Sequence, residues 1–274
     1  MNIAVDIGNT CLKFGVFSPD KENKLVGFWR LPSGDTGWVN EVFLKNMTRF
    51  GMLTNRINPP GQWAPGLENL YPVPLAWRIA QTGQFPLKKF KTTILAIRPK
   101  DTFKTVLWRQ IPIKRNVDAP EQVGIDRLLA ACAAVQRYGN APMLVVDAGT
   151  AITVDVVRDG TFCGGAILPG LTALSETYPR MSAKLPCIGP DTTLKIEQGY
   201  PGGNTKSAVF NGIFWGTVGA IRQFYDMHPL KKEALLILTG GDAEFLLQGL
   251  TRVIPSERIL HHDTLVLEGV NLIF

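Results

Sequence analysis

The chain carries one short pattern twice, as Val5-Asp6-Ile7-Gly8-Asn9-Thr10 near the N-terminus and as Val146-Asp147-Ala148-Gly149-Thr150 near its middle. Each copy ends an apolar run, at residues 2–5 and 143–146, and is followed by a second run that is typical of a strand. An Asp at a strand end with a Gly-containing turn after it predicts a β-hairpin at both places. The repetition also predicts that the two halves of the chain are related.

The residues of this pattern suit a bound polyphosphate. Glycine lets the backbone come close to a ligand, the Thr hydroxyl and the turn amides can donate to phosphate oxygens, and the Asp can hold a cation. The alternative is a plain tight turn, because Asp, Gly and Asn are common turn residues. Coincident turn chemistry does not require the same residue order at two strand ends, so the repeat favours a nucleotide site gripped from both sides.

Composition limits the class of protein. The chain has 274 residues, of which 45% are hydrophobic and 19% charged, so it can bury one or two ordinary cores. No apolar run reaches the roughly 18 residues that span a bilayer, and a strand begins at the N-terminus without a secretory signal. The four cysteines and three histidines lack metal-ligand spacing, and a disulfide framework would be unusual at this size.

The net charge of +6 has a local origin. Between Arg78 and Arg115 ten cations accompany the single acid Asp101. Such a stretch could attract anionic ligands or nucleic acid. No arginine-rich run, helix-turn-helix or zinc-finger pattern accompanies it, so we interpret it as a solvated basic face and do not expect nucleic acid as a partner.

We divide the chain into an N-terminal domain at residues 1–116 and a C-terminal domain at residues 117–274. In the first, the patterns predict strands at 2–5, 13–17 and 25–30, a helix at 36–49, irregular Pro-rich structure at 51–83, a strand at 93–97 and a helical piece at 102–108. In the second they predict a helix at 126–138 closed by Gly139, strands at 143–146, 152–157 and from 161 into 164–170, helices at 171–180 and 205–227, a strand at 234–238 and a helix at 243–250. Each half is a strand meander followed by alternating helices and strands, which predicts an α/β protein whose two halves enclose a ligand between them.

The first copy of the pattern has the groups that phosphoryl transfer needs. Asp6 could hold Mg2+ through water, because magnesium keeps several waters and takes few carboxylates. Lys13, three positions after Thr10, could lie near the phosphates as a point charge. Transfer also requires a positioned nucleophile and donors on the moving group.

A second constellation is Gly124-Ile125-Asp126-Arg127, between Pro120 and the long predicted helix. Asp126 at a helix N-terminus could simply cap the helix or complement its dipole. It could instead accept the proton of a substrate hydroxyl, with Arg127 pairing with a carboxylate or phosphate. The glycine pairs at 164–165 and 240–241 match neither the Rossmann nor the Walker pattern, and paired glycines are common where two backbones meet.

Taken in order, these motifs resemble the type III pantothenate kinases, which belong to the superfamily of acetate kinase, sugar kinases, Hsp70 and actin. The motifs that carry the resemblance are residues 6–13, 124–127, 147–155, 164–170 and 239–241. The resemblance covers nearly the whole chain and is weakest between residues 28 and 116. It implies two duplicated actin-like (ribonuclease H-like) α/β domains with a nucleotide cleft between them.

The resemblance also implies an activity, which is ATP-dependent phosphorylation of pantothenate to 4'-phosphopantothenate, the first step of coenzyme A biosynthesis. It implies Asp126 as catalytic base, and Mg2+ and a monovalent cation (K+ or NH4+) held by Asp6 and Asp147 respectively. Contacts to ATP and its phosphates are implied for Asp6, Ile7, Gly8, Asn9, Thr10, Cys11, Leu12, Lys13 and Thr150, and contacts to pantothenate for Gly124, Ile125, Asp126, Arg127 and Thr205. The implied protein is a cytoplasmic homodimer that has no association with membranes.

One position departs from the family pattern. Members usually have a Tyr seven residues before the Gly of Gly-x-Asp-Arg, and Val117 stands there in this chain. The alternative function is that of a non-catalytic accessory or transcription-regulating relative of the same fold. Retention of every ionisable group in the motifs favours the enzyme.

Overall fold

The structure, a computed structural model, describes residues 2–18, 23–32, 74–188 and 200–273. Its strands are β1 (Asn2–Ile7), β2 (Cys11–Phe17), β3 (Leu25–Pro32), β4 (Ala76–Gln81), β5 (Thr102–Thr105), β6 (Lys114–Arg115), β7 (Met143–Ala148), β8 (Ala151–Arg158), β9 (Thr161–Pro169), β10 (Leu235–Thr239) and β11 (Ile259–His261). Its α-helices are α1 (Leu87–Ile97), α2 (Ile125–Tyr138), α3 (Leu171–Met181), α4 (Thr205–Met227), α5 (Ala243–Leu250) and α6 (Leu265–Asn271). Within the described ranges, no helix has both the length and the hydropathy that a membrane crossing requires.

The chain divides into two compact units. The first comprises Met1–Pro112, Glu121–Leu129 and Val266–Phe274, and the second comprises Ile113–Pro120 and Ala130–Leu265. The start of α2 and nearly all of α6 therefore belong to the first unit, although each comes after a segment of the second unit in sequence.

The two units repeat one sheet topology. The first sheet has the order β3-β2-β1-β4-β5, and the second contains β9-β8-β7-β10-β11 with β6 added beside β9. In the first, β1 is antiparallel to β2 and parallel to β4; in the second, β7 is antiparallel to β8 and parallel to β10. The duplication predicted from the repeated pattern is thus confirmed in strand order and strand direction.

The core of the first unit lies between its sheet and α1. Trp77 of β4 is fully buried and packs edge-on against Phe90 of α1, with ring centroids 5.8 Å apart. The indole N–H of Trp77 donates to the buried carboxylate of Asp101 over 2.8 Å, and Arg98 pairs with the same carboxylate at 2.7 Å. This buried carboxylate fixes the end of α1 against the sheet, because losing Arg98 would leave buried charge uncompensated and losing Trp77 would leave a hydrogen bond unmade.

The C-terminal helix α6 covers part of the first sheet. Arg78 of β4 is buried, and its Nη1 donates to the side-chain oxygen of Asn271 over 2.8 Å and to that residue's backbone carbonyl. At Gly269, an added Cβ would lie 2.2 Å from the carbonyl oxygen of Leu129 in α2. Because no side chain fits there, glycine is what lets α6 and α2 approach this closely.

The second unit has the larger core. Helix α4 contributes an apolar face that includes Phe214, Val218 and Ile221, and α5 packs against it through Leu246 and Leu250. Asn204 caps α4, since its side chain accepts from the backbone N–H of Ser207 over 2.9 Å.

Most predicted elements of the described ranges are confirmed. The predictions for α4 and α5 have the observed bounds, and those for β1, β2, β3, β7, β8, β9, β10, α2 and α3 overlap the observed elements closely. Gly139 ends α2 with a φ of 63° and its N–H bonded to the carbonyl of Val135. The helix predicted at 36–49 lies outside the described residues.

Two neighbouring predictions in the first unit are wrong. Residues 93–97, predicted as a strand, form the second half of α1. Residues 102–108, predicted as helical, begin with strand β5, and a 3₁₀ turn follows at Trp108–Gln110.

The helix forms against local preference because tertiary packing stabilises it. Phe90 and Ile94, one turn apart, are buried in the core. The β-branched Thr92 and Thr93 are accommodated because each hydroxyl donates to a carbonyl one turn earlier, over 2.9 Å. Once this segment is helical, β5 can follow it as the parallel partner of β4.

Part of the stretch predicted as irregular is also a strand. Residues 76–81 form β4, whereas residues 51–73 lie outside the described ranges. The strand was missed because nearby prolines suggested loop structure and because a charge, Arg78, lies within it. Helix α6, at the other end of the chain, supplies that charge with its hydrogen-bond acceptors.

Candidate active site

The first turn joins β1 to β2 in the first unit. Asp6 ends up opposite Lys13 in the hairpin register, and their Oδ2 and Nζ atoms are 3.4 Å apart. The N–H of Gly8 donates to the carbonyl of Cys11 over 3.0 Å and closes the turn. Asn9 and Thr10 at its tip are exposed.

The remaining predicted phosphate-binding residues of this hairpin divide by burial. The side chains of Ile7 and Leu12 are fully buried in the core, so only their backbone could meet a ligand. Cys11 is half-buried, and its thiol donates to the carbonyl of Leu12. The apolar side chains of Ile7 and Leu12 anchor the two strand ends that the turn connects.

The second turn joins β7 to β8 in the second unit. Asp147 is opposite Thr153, and the N–H of Gly149 donates to the carbonyl of Ala151 over 3.0 Å. The hairpin register makes this turn one residue shorter than the first, because Asp6 pairs seven positions ahead and Asp147 six. No cation of the described residues pairs with Asp147, whereas Asp6 has Lys13. Thr150 at the tip is exposed.

Two glycines from elsewhere in the second unit pack against the second turn. A Cβ added at Gly240 would lie 2.3 Å from the carbonyl oxygen of Ala148 and 2.5 Å from Oδ1 of Asp147. One added at Gly170 would lie 2.2 Å from the carbonyl oxygen of Gly149. Gly240 also has a φ of 102°, which side chains rarely adopt. These glycines are required because backbone meets backbone around the Asp147 carboxylate.

Gly124–Arg127 begins helix α2 in the first unit. Asp126 lies in the first turn, is half-buried, and its Oδ1 accepts from the backbone N–H of Arg127 over 2.9 Å. A Cβ added at Gly124 would lie 2.5 Å from that same Oδ1. The carboxylate therefore folds back over Gly124, where an added side chain would meet the end of the Asp126 side chain.

Thr205 is the first residue of α4 and is exposed. It is not the cap of this helix, since Asn204 has that role, so its hydroxyl remains at the surface of the second unit.

Farther along the same helix, Asn211 and Trp215 line an open pocket of about 720 Å³. The guanidinium of Arg252 lies 5.8 Å from the Trp215 ring centroid. Thr205 does not line this pocket.

Val117, at the place of the family Tyr, packs against the β9 backbone. Its Cγ1 would be 3.4 Å from a Cβ added at Gly164, which has a φ of 80°. The next glycine, Gly165, lies so close to β8 that an added Cβ would be 2.1 Å from the carbonyl of Val154. This glycine pair is therefore explained by the positive φ of Gly164 and by the close backbone approach at Gly165.

Sequence reasoning missed the segment that supports the first turn, which follows β4. The N–H groups of Thr82 and Gly83 both donate to the carbonyl of Ile7, over 3.0 and 2.9 Å. A Cβ added at Gly83 would lie 2.3 Å from the carbonyl oxygen of Gly8. The lone glycine after β4 was the available signal, and it was hidden because the strand before it had not been recognised.

The basic stretch is only partly a surface feature. Arg78 and Arg98 are each 8% exposed and have structural partners. Burial lowers the pKa of the Arg78 guanidinium, although an arginine stays protonated at neutral pH.

The four cysteines are free thiols. Burial raises the pKa of the Cys132 thiol to about 11 despite the opposing effect of Arg115, so this thiol is unreactive.

The duplicated sheets, each with an Asp-bearing hairpin, define an actin-like α/β protein. Residues 87–227 match the sequence profile of the type III pantothenate kinases, and this stretch includes Asp126 and the second turn. The chain belongs to the type III pantothenate kinase family.

Individual relatives agree with this assignment, and a solved structure shares the fold. The chain is 32% identical over 253 residues to the type III pantothenate kinase of Persephonella marina, covering 91% of each protein. It is 36% identical over 273 residues to that of Paramagnetospirillum magneticum, covering 92% of this chain and 96% of the relative. The crystal structure of a Baf family transcriptional activator from Campylobacter jejuni matches 99% of this chain and 96% of its own with a TM-score of 0.54 and 22% identity, which shows a common fold.

Proposed function

We propose that this chain phosphorylates pantothenate with ATP, forming 4'-phosphopantothenate and ADP, the first step of coenzyme A biosynthesis. The observation that carries the proposal is the Asp126 carboxylate, held in the first turn of α2 beside a glycine whose replacement would collide with it. Family membership supports pantothenate as the substrate.

Asp126 is the proposed catalytic base. The pantothenate hydroxyl oxygen attacks the γ-phosphorus, the bond from this phosphorus to the β–γ bridging oxygen breaks, and the hydroxyl proton passes to the Asp126 carboxylate. ADP leaves with the bridging oxygen. An ionised carboxylate is a weak base toward an alcohol, so positioning and electrostatics supply most of the rate.

The first turn is the proposed phosphate site. Residues 6–13 contribute backbone amides, the Thr10 hydroxyl and the ammonium of Lys13. Asp6 would hold Mg2+ through water, because magnesium bound to nucleotide takes most of its ligands from phosphates and water. When bound, the ion neutralises charge that develops on the phosphates.

The second turn is the proposed site of a monovalent cation, K+ or NH4+, held by Asp147, with Thr150 contacting ATP. The fit rests on a carboxylate without a cationic partner among the described residues and on backbone carbonyls of the same turn. Such oxygens are the ligands that hard cations prefer.

The other proposals follow from the family. Gly124, Ile125, Arg127 and Thr205 would contact pantothenate, and the protein would act as a cytoplasmic homodimer. The domain bounds 1–116 and 117–274 remain a proposal beside the two units described above.

The test is ADP release by the purified protein with Mg2+ and ATP, with and without pantothenate, in K+ and then in Na+. Replacing Asp126 with Asn keeps the shape of the side chain and removes the base. We expect Asp126→Asn to fold normally, with an unchanged melting temperature, and to lose turnover by at least about 100-fold, the low end for a lost acid–base group.

Near wild-type turnover in Asp126→Asn would exclude Asp126 as the base. Salt-sensitive DNA binding by the wild type, without pantothenate-dependent ADP release, would instead support the accessory-protein alternative.

A further inference from the structure

The two units share a feature beyond strand order, at the end of the strand parallel to the Asp-bearing strand. In the first unit Asp6 is the register partner of Ala80, and the residue three places later, Gly83, donates its N–H to the carbonyl of Ile7 over 2.9 Å. In the second unit Asp147 is the register partner of Thr239. The residue three places later, Asp242, donates its N–H to the carbonyl of Ala148, also over 2.9 Å.

Each bond ends on the carbonyl directly after the aspartate, Ile7 or Ala148. In each unit a glycine just after this parallel strand also packs closely against the backbone of the turn. This glycine is Gly83 in the first unit and Gly240 in the second. Residues 80–83 are therefore the first-unit counterpart of residues 239–242. Sequence alone conceals this, because Ala-Gln-Thr-Gly and Thr-Gly-Gly-Asp share no residue at any position.

Gly83 lies directly against the peptide that forms the first turn. A Cβ added to this buried glycine would lie 2.3 Å from the carbonyl oxygen of Gly8 and 2.8 Å from the backbone nitrogen of Asn9. Both atoms are backbone and belong to one peptide plane, so relieving the collision requires the plane to shift or rotate. That plane carries the backbone N–H of Asn9, an exposed residue at the tip of the turn.

The segment around Gly83 is held firmly. Gln81 donates from its amide nitrogen to the carbonyl of Gly83 over 3.1 Å and to that of Phe85 over 3.2 Å. Phe85 is buried in the core of the unit and contacts Phe90, with ring centroids 6.2 Å apart. The segment from Gln81 to Phe85, which packs against the first turn, is thus fixed to the core. It cannot move easily to make room for an added methyl group.

We propose that Gly83 is a positioning residue for the first turn, setting the orientation of the Gly8–Asn9 peptide toward the phosphates of a bound nucleotide. The proposal rests on the phosphate-binding role proposed above for residues 6–13. It assigns Gly83 no contact with the nucleotide and no chemical step.

The experiment compares Gly83→Ala with wild type in nucleotide binding and in turnover. Shifting the Gly8–Asn9 peptide should weaken phosphate binding by the first turn without abolishing it. We therefore expect the Kd for ADP, measured calorimetrically without pantothenate, to rise about 10-fold. The KM for ATP should rise similarly, while the KM for pantothenate stays within about two-fold. A purely structural role would not separate the two substrates in this way.

Gly249→Ala is the matched control. Its added Cβ would meet the side chains of Phe214 and Val218 at 2.7 Å in the core of the second unit, so it introduces a collision that involves no atom of either turn. We expect it to lower the melting temperature with ADP affinity unchanged. Equal ADP affinity in Gly83→Ala and Gly249→Ala would overturn the proposal.

A second variant covers the case in which Gly83→Ala does not fold. Gln81→Met keeps the length of the side chain and removes its two hydrogen bonds, to the carbonyls of Gly83 and Phe85. We expect about a three-fold rise in the Kd for ADP. An unchanged Kd in this variant would count against the proposal. Because ADP binding needs no pantothenate, a wild type that binds ADP but does not phosphorylate pantothenate would refute the proposed reaction while leaving Gly83 testable.

Discussion

The two Asp-bearing hairpins share a strand order, a turn-closing hydrogen bond and a supporting glycine, yet they differ in what stands opposite the aspartate. Asp6 is opposite Lys13, whose ammonium is 3.4 Å away, whereas Asp147 is opposite the uncharged Thr153. An aspartate with its own cation can accept a second only beside further negative charge, such as that of phosphates. An aspartate without one can itself be the main attraction for a cation. The two hairpins therefore share one frame, and we propose that the residue opposite each aspartate separates their roles.

Of the changes that test this contrast, the largest effect should come from making the second hairpin like the first. Thr153→Lys places an ammonium opposite Asp147, where it would compete with a bound monovalent cation. We expect turnover to fall about 10-fold, equivalent to roughly 1.4 kcal/mol, and the difference between K+ and Na+ to disappear. The measurement is pantothenate-dependent ADP release in each salt.

Thr153→Met is the control, because it adds a long side chain without charge and should retain the preference for K+. If Thr153→Lys still responds to K+ as the wild type does, Asp147 is not the cation ligand and the proposed separation of roles fails.

A smaller effect is expected from removing the charge that distinguishes the first hairpin. Lys13→Met deletes a cation near the proposed phosphates, so the KM for ATP should rise by up to about five-fold, on the order of the 0.2–1 kcal/mol of an exposed charge contact. The response to K+ should persist, because Asp147 is untouched. Lys13→Arg should recover most of the affinity, and an unchanged KM for ATP in Lys13→Met would show that Lys13 serves only Asp6.

The smallest effect concerns pH and another contrast between the units. All three histidines lie in the second unit, and His228 is 3% exposed there. Burial lowers the pKa of His228, and the charge of Arg158 lowers it further. Its Nδ1 accepts from the N–H of Leu230 over 3.1 Å, which a proton on that nitrogen would prevent.

Because the folded pKa of His228 lies below the unfolded value of about 6.5, the folded state favours the neutral ring. Stability is therefore fully present above about pH 6.5 and falls as the pH drops toward the folded pKa, by at most about 1.4 kcal/mol per pH unit. Urea unfolding between pH 7.5 and about pH 5 should show this slope, and His228→Gln should flatten it. A wild-type slope that His228→Gln leaves intact would assign the acid sensitivity to other groups.

How far sequence reasoning succeeded depended on the range of the interactions involved. The helix at 205–227 was predicted with its observed bounds, because its apolar spacing and its Asn cap are local signals. The segment at 93–97 was misassigned because its β-branched residues favour a strand, whereas contacts of Phe90 and Ile94 with the sheet make it helical. Strand β4 was missed because the partners of Arg78 lie in α6, at the far end of the chain.

By itself, the sequence determined the two hairpins, the Gly-x-Asp-Arg helix start and the family, because each depends on residues a few positions apart. Only the tertiary structure decided that Asp6 has a cation opposite it while Asp147 does not. It also decided that Gly83 supports the first turn as Gly240 supports the second. The physical reason is that these relations depend on strand register and on close approach of distant backbone segments, and no local pattern of side chains records either.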